Sequence, residues 1–158
     1  MTRRRLIAVI GAGNASAALR KLAFEVGREI ASRGADLVCG GLGGVMEAAA
    51  AGARSLGGHT IGILPSYNRE SANPNIEVAI PTGMGEARNA IVVACAEAVV
   101  ALPGEAGTLS EIGLALKLGR PVAAIGAWEE IKGLRRATSA AAAVEIALRL
   151  AIRAGEAK

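Results

Sequence analysis

A chain of 158 residues is long enough to bury one good core and short for two domains, so a single unit over 1–158 is expected. Hydrophobic residues make up 52% and charged residues 20%, which excludes a disordered chain, and two cysteines exclude a disulfide scaffold. A formal charge of +4 lets the surface attract anions, but with Phe24, Tyr67 and Trp128 as the only aromatics there is no base-stacking platform, so nucleic acid is not an expected partner.

Short β-branched runs alternate with longer helical patterns, which is the signature of a parallel sheet flanked by helices. Leu6 to Ile10 reads as a strand ending at Gly11-Ala12-Gly13, followed by a helix from about Ser16 to Arg33 that Gly34 closes. Asp36 to Cys39 is a second strand and runs into Gly40-Gly41-Leu42-Gly43-Gly44; a helix over Val45 to Leu56 stops at Gly57-Gly58. His59 to Leu64 is the third strand. Pro65 to Pro74 is the longest polar stretch, a surface loop and a candidate lid. Ile76 to Ile80 reads as a strand, Arg88 to Ala96 as a very apolar helix, and Ala98 to Leu102 as another strand. Pro103-Gly104-Glu105-Ala106-Gly107 turns into a helix ending near Gly119. Pro121 to Ile125 is read as the last strand, Lys132, Arg135 and Arg136 as solvated charge, and Thr138 to Ala154 as the final helix. The fold class is α/β: one three-layer Rossmann-like domain with a mostly parallel sheet.

Bilayer crossing needs roughly 20 apolar residues. The best run, Ala90 to Leu102, contains Glu97 and ends at Pro103-Gly104, so no membrane span is expected. The basic Arg3 to Arg5 leads into a strand rather than a signal-peptide cleavage site, so the chain is expected in the cytoplasm. Cys39 and Cys95 then read as buried apolar thiols, and with His59 the only histidine no metal site is expected.

In such folds ligands bind where strand-to-helix turns meet the carboxyl ends of the strands, and three of those turns are rich in glycine. Gly11 to Ser16 nearly matches a dinucleotide fingerprint, but Ser16 stands where the third glycine is expected. Strand two ends in Cys39-Gly40-Gly41 without the acidic residue that would hold a ribose, which disfavours a nicotinamide enzyme. The turns at Gly40 to Gly44 and Gly104 to Thr108 lead straight into helices, where backbone N–H groups and the helix dipole converge on an anion. The candidate phosphate-binding positions are Gly11, Gly13, Gly41, Gly43, Gly44, Gly104, Gly107 and Thr108.

Glu111 follows Thr108 at capping-box spacing, so it reads either as a helix cap or as a carboxylate at the mouth of the phosphate turn. Glu47 reads as a favourable charge in a first helical turn. Arg88 opens a helix whose dipole opposes it, and recognition of phosphate or carboxylate by its guanidinium fork suits it better. A helix as apolar as Ala90 to Ala96 needs cover on more than one side, which implies a homo-oligomer, dimer or tetramer.

Four segments carry a resemblance: Gly40-Gly41-Leu42-Gly43-Gly44-Val45-Met46-Glu47, Gly62-Ile63-Leu64-Pro65, Pro81-Thr82-Gly83-Met84-Gly85-Glu86-Ala87-Arg88-Asn89, and Leu102-Pro103-Gly104-Glu105-Ala106-Gly107-Thr108-Leu109-Ser110-Glu111. Over about residues 5 to 150 the chain resembles the Lonely Guy (LOG) superfamily, and more narrowly the branch of the molybdenum-cofactor carrier proteins. The LOG enzymes are nucleoside 5′-monophosphate phosphoribohydrolases, releasing base and ribose 5-phosphate. That resemblance implies phosphate-binding backbone at Gly104, Gly107 and Thr108, a catalytic carboxylate at Glu111 and an arginine partner at Arg88. The chain departs from the enzymes at Glu105, where they have glycine, and around Arg88, where their histidine and lysine are missing and the segment is similar to the carrier branch. The reading that follows is a binding or carrier protein for a phosphorylated nucleotide-like or molybdopterin-type ligand, with no cofactor required beyond the molybdenum cofactor as cargo. The alternative is phosphoribohydrolase activity using Arg88 and Glu111.

Overall fold

A computed structural model describes residues 3–156. Seven strands, β1 (Leu6–Ile10), β2 (Asp36–Cys39), β3 (Thr60–Leu64), β4 (Val78–Pro81), β5 (Ala98–Ala101), β6 (Val122–Ile125) and β7 (Arg135–Ala137), form one sheet in the order β4-β3-β2-β1-β5-β6-β7. Every neighbouring pair is parallel, so each connection must cross over a face of the sheet. Alternation along the strands assigns the faces. Ile7, Val9, Leu37, Cys39, Ala98 and Val100 pack with α1 (Ala17–Ser32), α2 (Val45–Ser55) and α5 (Ala140–Glu156). Ala8, Ile10, Val38, Val99 and Ala101 pack with α3 (Asn89–Cys95) and α4 (Ala106–Lys117) on the other face. Central strands buried on both faces explain the unbroken apolar runs of the sequence.

Several element bounds move by one or two residues, each for a local reason. Ser16, in place of the expected third glycine, is the N-cap of α1 and accepts a hydrogen bond from the Leu19 N–H. Ser139 does the same for the Ala142 N–H, so α5 begins at Ala140 rather than Thr138. Before α3 the chain makes a 3-10 turn over Gly85–Arg88. The polar stretch from Pro65 holds a second such turn, Arg69–Ser71, and Asn73 fastens it by donating from Nδ2 to the Leu42 carbonyl at 2.8 Å.

Two readings are corrected. The strand at Val122–Ile125 is not the last: Arg135 and Arg136, taken for solvated charge, form β7 against Ala123 and Ala124. Three residues with exposed arginines carry no apolar alternation, because a charged edge strand is how a sheet avoids further pairing. Cys95, read as buried, is exposed while Cys39 is buried, because α3 ends there with its outer side uncovered by this chain.

Helices α1 and α2 touch backbone to backbone. A Cβ on Gly27 would lie 1.9 Å from the Ala49 carbonyl oxygen, and one on Gly52 equally 1.9 Å from that of Phe24. Gly27→Ala or Gly52→Ala should therefore lower stability by about 3 kcal/mol in urea unfolding, outweighing alanine's better helix propensity. An unchanged midpoint would show that the helices separate freely.

Candidate functional site

From β1 the chain builds outward to β4 in one direction, and from β5 to β7 in the other. The loops after β1 and β5 therefore part, opening a crevice at the carboxyl ends of the strands. A cavity of about 280 Å³ lies there, floored by Val9 and Ile10.

Three turns lock together around Ala12. Its N–H donates to the Pro103 carbonyl and its own carbonyl accepts from the Val45 N–H, both at 2.9 Å. Such closeness leaves no room for side chains. Gly44, at φ +64, would place a Cβ 2.2 Å from the Ala12 oxygen, and Gly104 would place one 2.1 Å from Thr108 Oγ1.

Helix α4 starts at Ala106 with Glu105 as N-cap, and no side chain bonds its first amides. The positive end of the helix lies at the cavity, where Gly107 and Thr108 line the wall. Thr108 is the third residue of the helix and Glu111 the sixth, so their spacing is not a capping box. Glu111 instead lines the cavity at 8% exposure. Burial pushes its carboxyl up to about 8, with Arg88 drawing it down and Glu86 adding to the rise.

Arg88 is 5% exposed and lines the same cavity. Its Nη1 donates to Asn89 Oδ1, Asn89 Nδ2 donates to Ser110 Oγ at 3.0 Å, and Ser110 Oγ donates to the Gly107 carbonyl at 2.6 Å. That chain ties the arginine to the first turn of α4. Its Nε is buried with no partner. Room for the guanidinium comes from Gly40, where a Cβ would lie 2.8 Å from Nη2. The adjacent Cys39 thiol is pushed up to about 12 by burial, reinforced by Glu111 against the lowering by the Gly41 N–H and Arg88, so it is no nucleophile.

Of the positions marked in the sequence, Gly11, Gly13, Arg88, Gly107, Thr108 and Glu111 line the cavity. Gly41, Gly43, Gly44 and Gly104 do not line it; Gly44 and Gly104 make the turn packing behind it, and Gly41, at φ +77, packs on Leu64. Glu47 lies outside it, 3.8 Å from Arg20. Tyr67 lies against Gly83 at 84% exposure and is not part of the wall, so the apolar cover comes from Leu42 and Met46. Sequence reasoning missed Leu42, Met46, Glu86 and Asn89 as wall residues. Their place beside the glycine turn after β2 and beside Arg88 was the available signal. Among the described residues no group of three His, Cys, Asp or Glu is placed to hold a metal ion.

Known proteins resemble the chain in two ways. The cytokinin riboside 5′-monophosphate phosphoribohydrolase of Mycobacterium tuberculosis is 38% identical over 129 residues, covering 75% of this chain and 68% of that one. In structure, the molybdenum cofactor binding protein of Rippkaea orientalis matches with a TM-score of 0.83 at 34% identity, over 99% of this chain and 98% of that one. The molybdenum cofactor carrier protein of Chlamydomonas reinhardtii matches with a TM-score of 0.86 at 31% identity, over 94% and 98%. With the sequence profile of the SLOG cluster4 family matching residues 4–150, the chain belongs to that LOG-like family.

Proposed function

We propose that this protein binds and carries a phosphorylated nucleotide-like or molybdopterin-type ligand in the crevice between β1 and β5. The observation that carries this reading is Arg88, a buried guanidinium with an unpartnered Nε, lining one cavity with the uncapped amides at the start of α4. A phosphate would take the amides around Gly107 and Thr108 and a charge-assisted bond from Arg88, while Gly11 and Gly13 leave open backbone across the crevice. Leu42 and Met46 offer an apolar wall to a planar ring. The similarity to cofactor-binding and carrier proteins over nearly whole chains supports the same choice.

Hydrolysis of the N-glycosidic bond is the second reading, favoured by Arg88 and Glu111 sharing the cavity and by the phosphoribohydrolase relative. An ionised Glu111 could stabilise an oxocarbenium-like ribosyl centre. Burial raises the carboxyl to about 8, and in its protonated form it could also serve as general acid to a leaving base.

The outer side of α3 supports a homo-oligomer, since Ala94 and Cys95 are exposed and Leu109 on α4 is 48% exposed.

Purified protein titrated with purine nucleoside monophosphates and with molybdopterin should gain thermal stability, by about 2.7 kcal/mol at a hundredfold excess over Kd. Arg88→Gln should weaken that binding about 10- to 100-fold. No stabilisation by either ligand class overturns the reading.

Free base should not accumulate from nucleoside monophosphates between pH 6 and 9 if the protein is a carrier. Release that rises toward pH 8 and vanishes in Glu111→Gln would establish the hydrolase. The same variant reads the carboxyl's stability effect. A folded-state value raised from 4.5 to about 8 means that stability is full below about 4.5 and is lost as pH climbs to about 8. Glu111→Gln should abolish that loss and gain about 3 kcal/mol at pH 7, with no gain at pH 4 in thermal unfolding.

Native mass spectrometry should show a dimer or tetramer, with Ala94→Arg reduced to monomer. A monomeric wild type would refute the oligomer.

A further inference from the structure

Trp128 stands in the connection between β6 and β7 at φ 68, the one non-glycine residue with positive φ among the described residues. A bulky aromatic side chain is held in that region only when its surroundings over-determine it. The direction of the ring shows what does so. Its Nε1 donates to the Leu102 carbonyl at 3.0 Å. Pairing of β5 with β6 ends at Ala101 and Ala124, so the indole N–H supplies a donor one residue beyond the sheet, where the strand becomes the glycine turn. The next carbonyl, Pro103, accepts from the Ala12 N–H on the opposite side. Two consecutive carbonyls are thus held from two directions, one by the turn after β1 and one by Trp128. Gly126, at φ 73, brings the same loop against Pro103, its added Cβ falling 3.6 Å from Cγ. The Ile131 N–H closes the loop onto the Trp128 carbonyl at 3.1 Å, and the ring packs on the α3 and α4 side of the core.

We infer that Trp128 is a positioning residue for the ligand site: its indole N–H fixes the turn from Leu102 to Ala106 and so aims the first amides of α4 into the crevice. Its effect on binding rests on the proposed phosphate site, whereas its effect on the turn does not. Since Trp128 is the only tryptophan of the chain, biosynthetic replacement of tryptophan by benzothienylalanine exchanges this one N–H for sulfur and leaves the ring's shape. Trp128→Phe is the second variant. Hydrogen exchange of the ligand-free protein should quicken about fivefold over residues 104–109, as expected for one lost hydrogen bond, with β1 and β2 unchanged. Titration with inorganic phosphate should show affinity reduced by about the same factor. Unchanged exchange at 104–109, or a uniform rise across the sheet, would mean that the ring only fills the core and overturns the inference. A wild type that ignores phosphate would instead refute the binding site, with the exchange result still deciding the role of Trp128.

Discussion

Two stretches of backbone can approach only as closely as their Cβ atoms permit, and around Ala12 that limit is lifted on both sides. Gly44 brings the turn after β2 onto the Ala12 carbonyl, and Gly104 brings the turn after β5 beneath Thr108 and beside the Ala12 amide. Because β1 is the strand from which the sheet grows in both directions, this contact joins its two halves where their loops would otherwise part. The shape of the crevice follows. A side chain at Gly44 would force its turn off Ala12 and Gly13, and one at Gly104 would collide with Thr108 on the cavity wall.

Within that frame the site is kept out of electrostatic balance. Among the described residues Arg88 is the one cation lining the cavity, against Glu86, Glu105 and Glu111. Its bond to Asn89 orients the guanidinium through Ser110 and the Gly107 carbonyl without neutralising it, and its Nε has no partner. A buried donor without a partner costs about 1–3 kcal/mol, and an incoming anion recovers it. Glu111 carries a matching cost whenever it ionises, since burial holds its proton to about pH 8. Both departures from an optimal core fall on the same cavity, as binding sites do when local stability is given up for an open valence.

Much of this was legible in the sequence because it rests on local chemistry. Strands buried on both faces leave unbroken apolar runs, and glycines forced by close backbone approach stand at the strand ends, so the parallel sheet and the crevice at its carboxyl edge can be read from residues alone. What escaped depends on neighbours distant in sequence. Arg135 and Arg136 stay exposed, and nothing in their own residues marks a strand until β6 lies beside them. Cys95 sits in the same apolar run as Val92 and Val93, and only packing shows that they turn inward and it does not. The spacing of Thr108 and Glu111 fits a capping box or a buried site carboxylate equally well, and the start of α4 at Ala106 decides between them. Trp128 gave no signal, since neither its φ nor its bond to Leu102, 26 residues away, has a local motif.

The protonation of Glu111 sets what the cavity can do. An ionised carboxylate could steady a cationic centre, while the protonated acid could donate a hydrogen bond to a bound oxygen or a proton to a leaving group. An anion at the α4 amides would bring negative charge close to this carboxyl and oppose its ionisation further, with Arg88 the only cation lining the cavity among the described residues. Glu86, already raising Glu111, acts in the same direction. Arg88 and the buried acid are thus coupled through one cavity, so that a change in the charge of either is felt by the other.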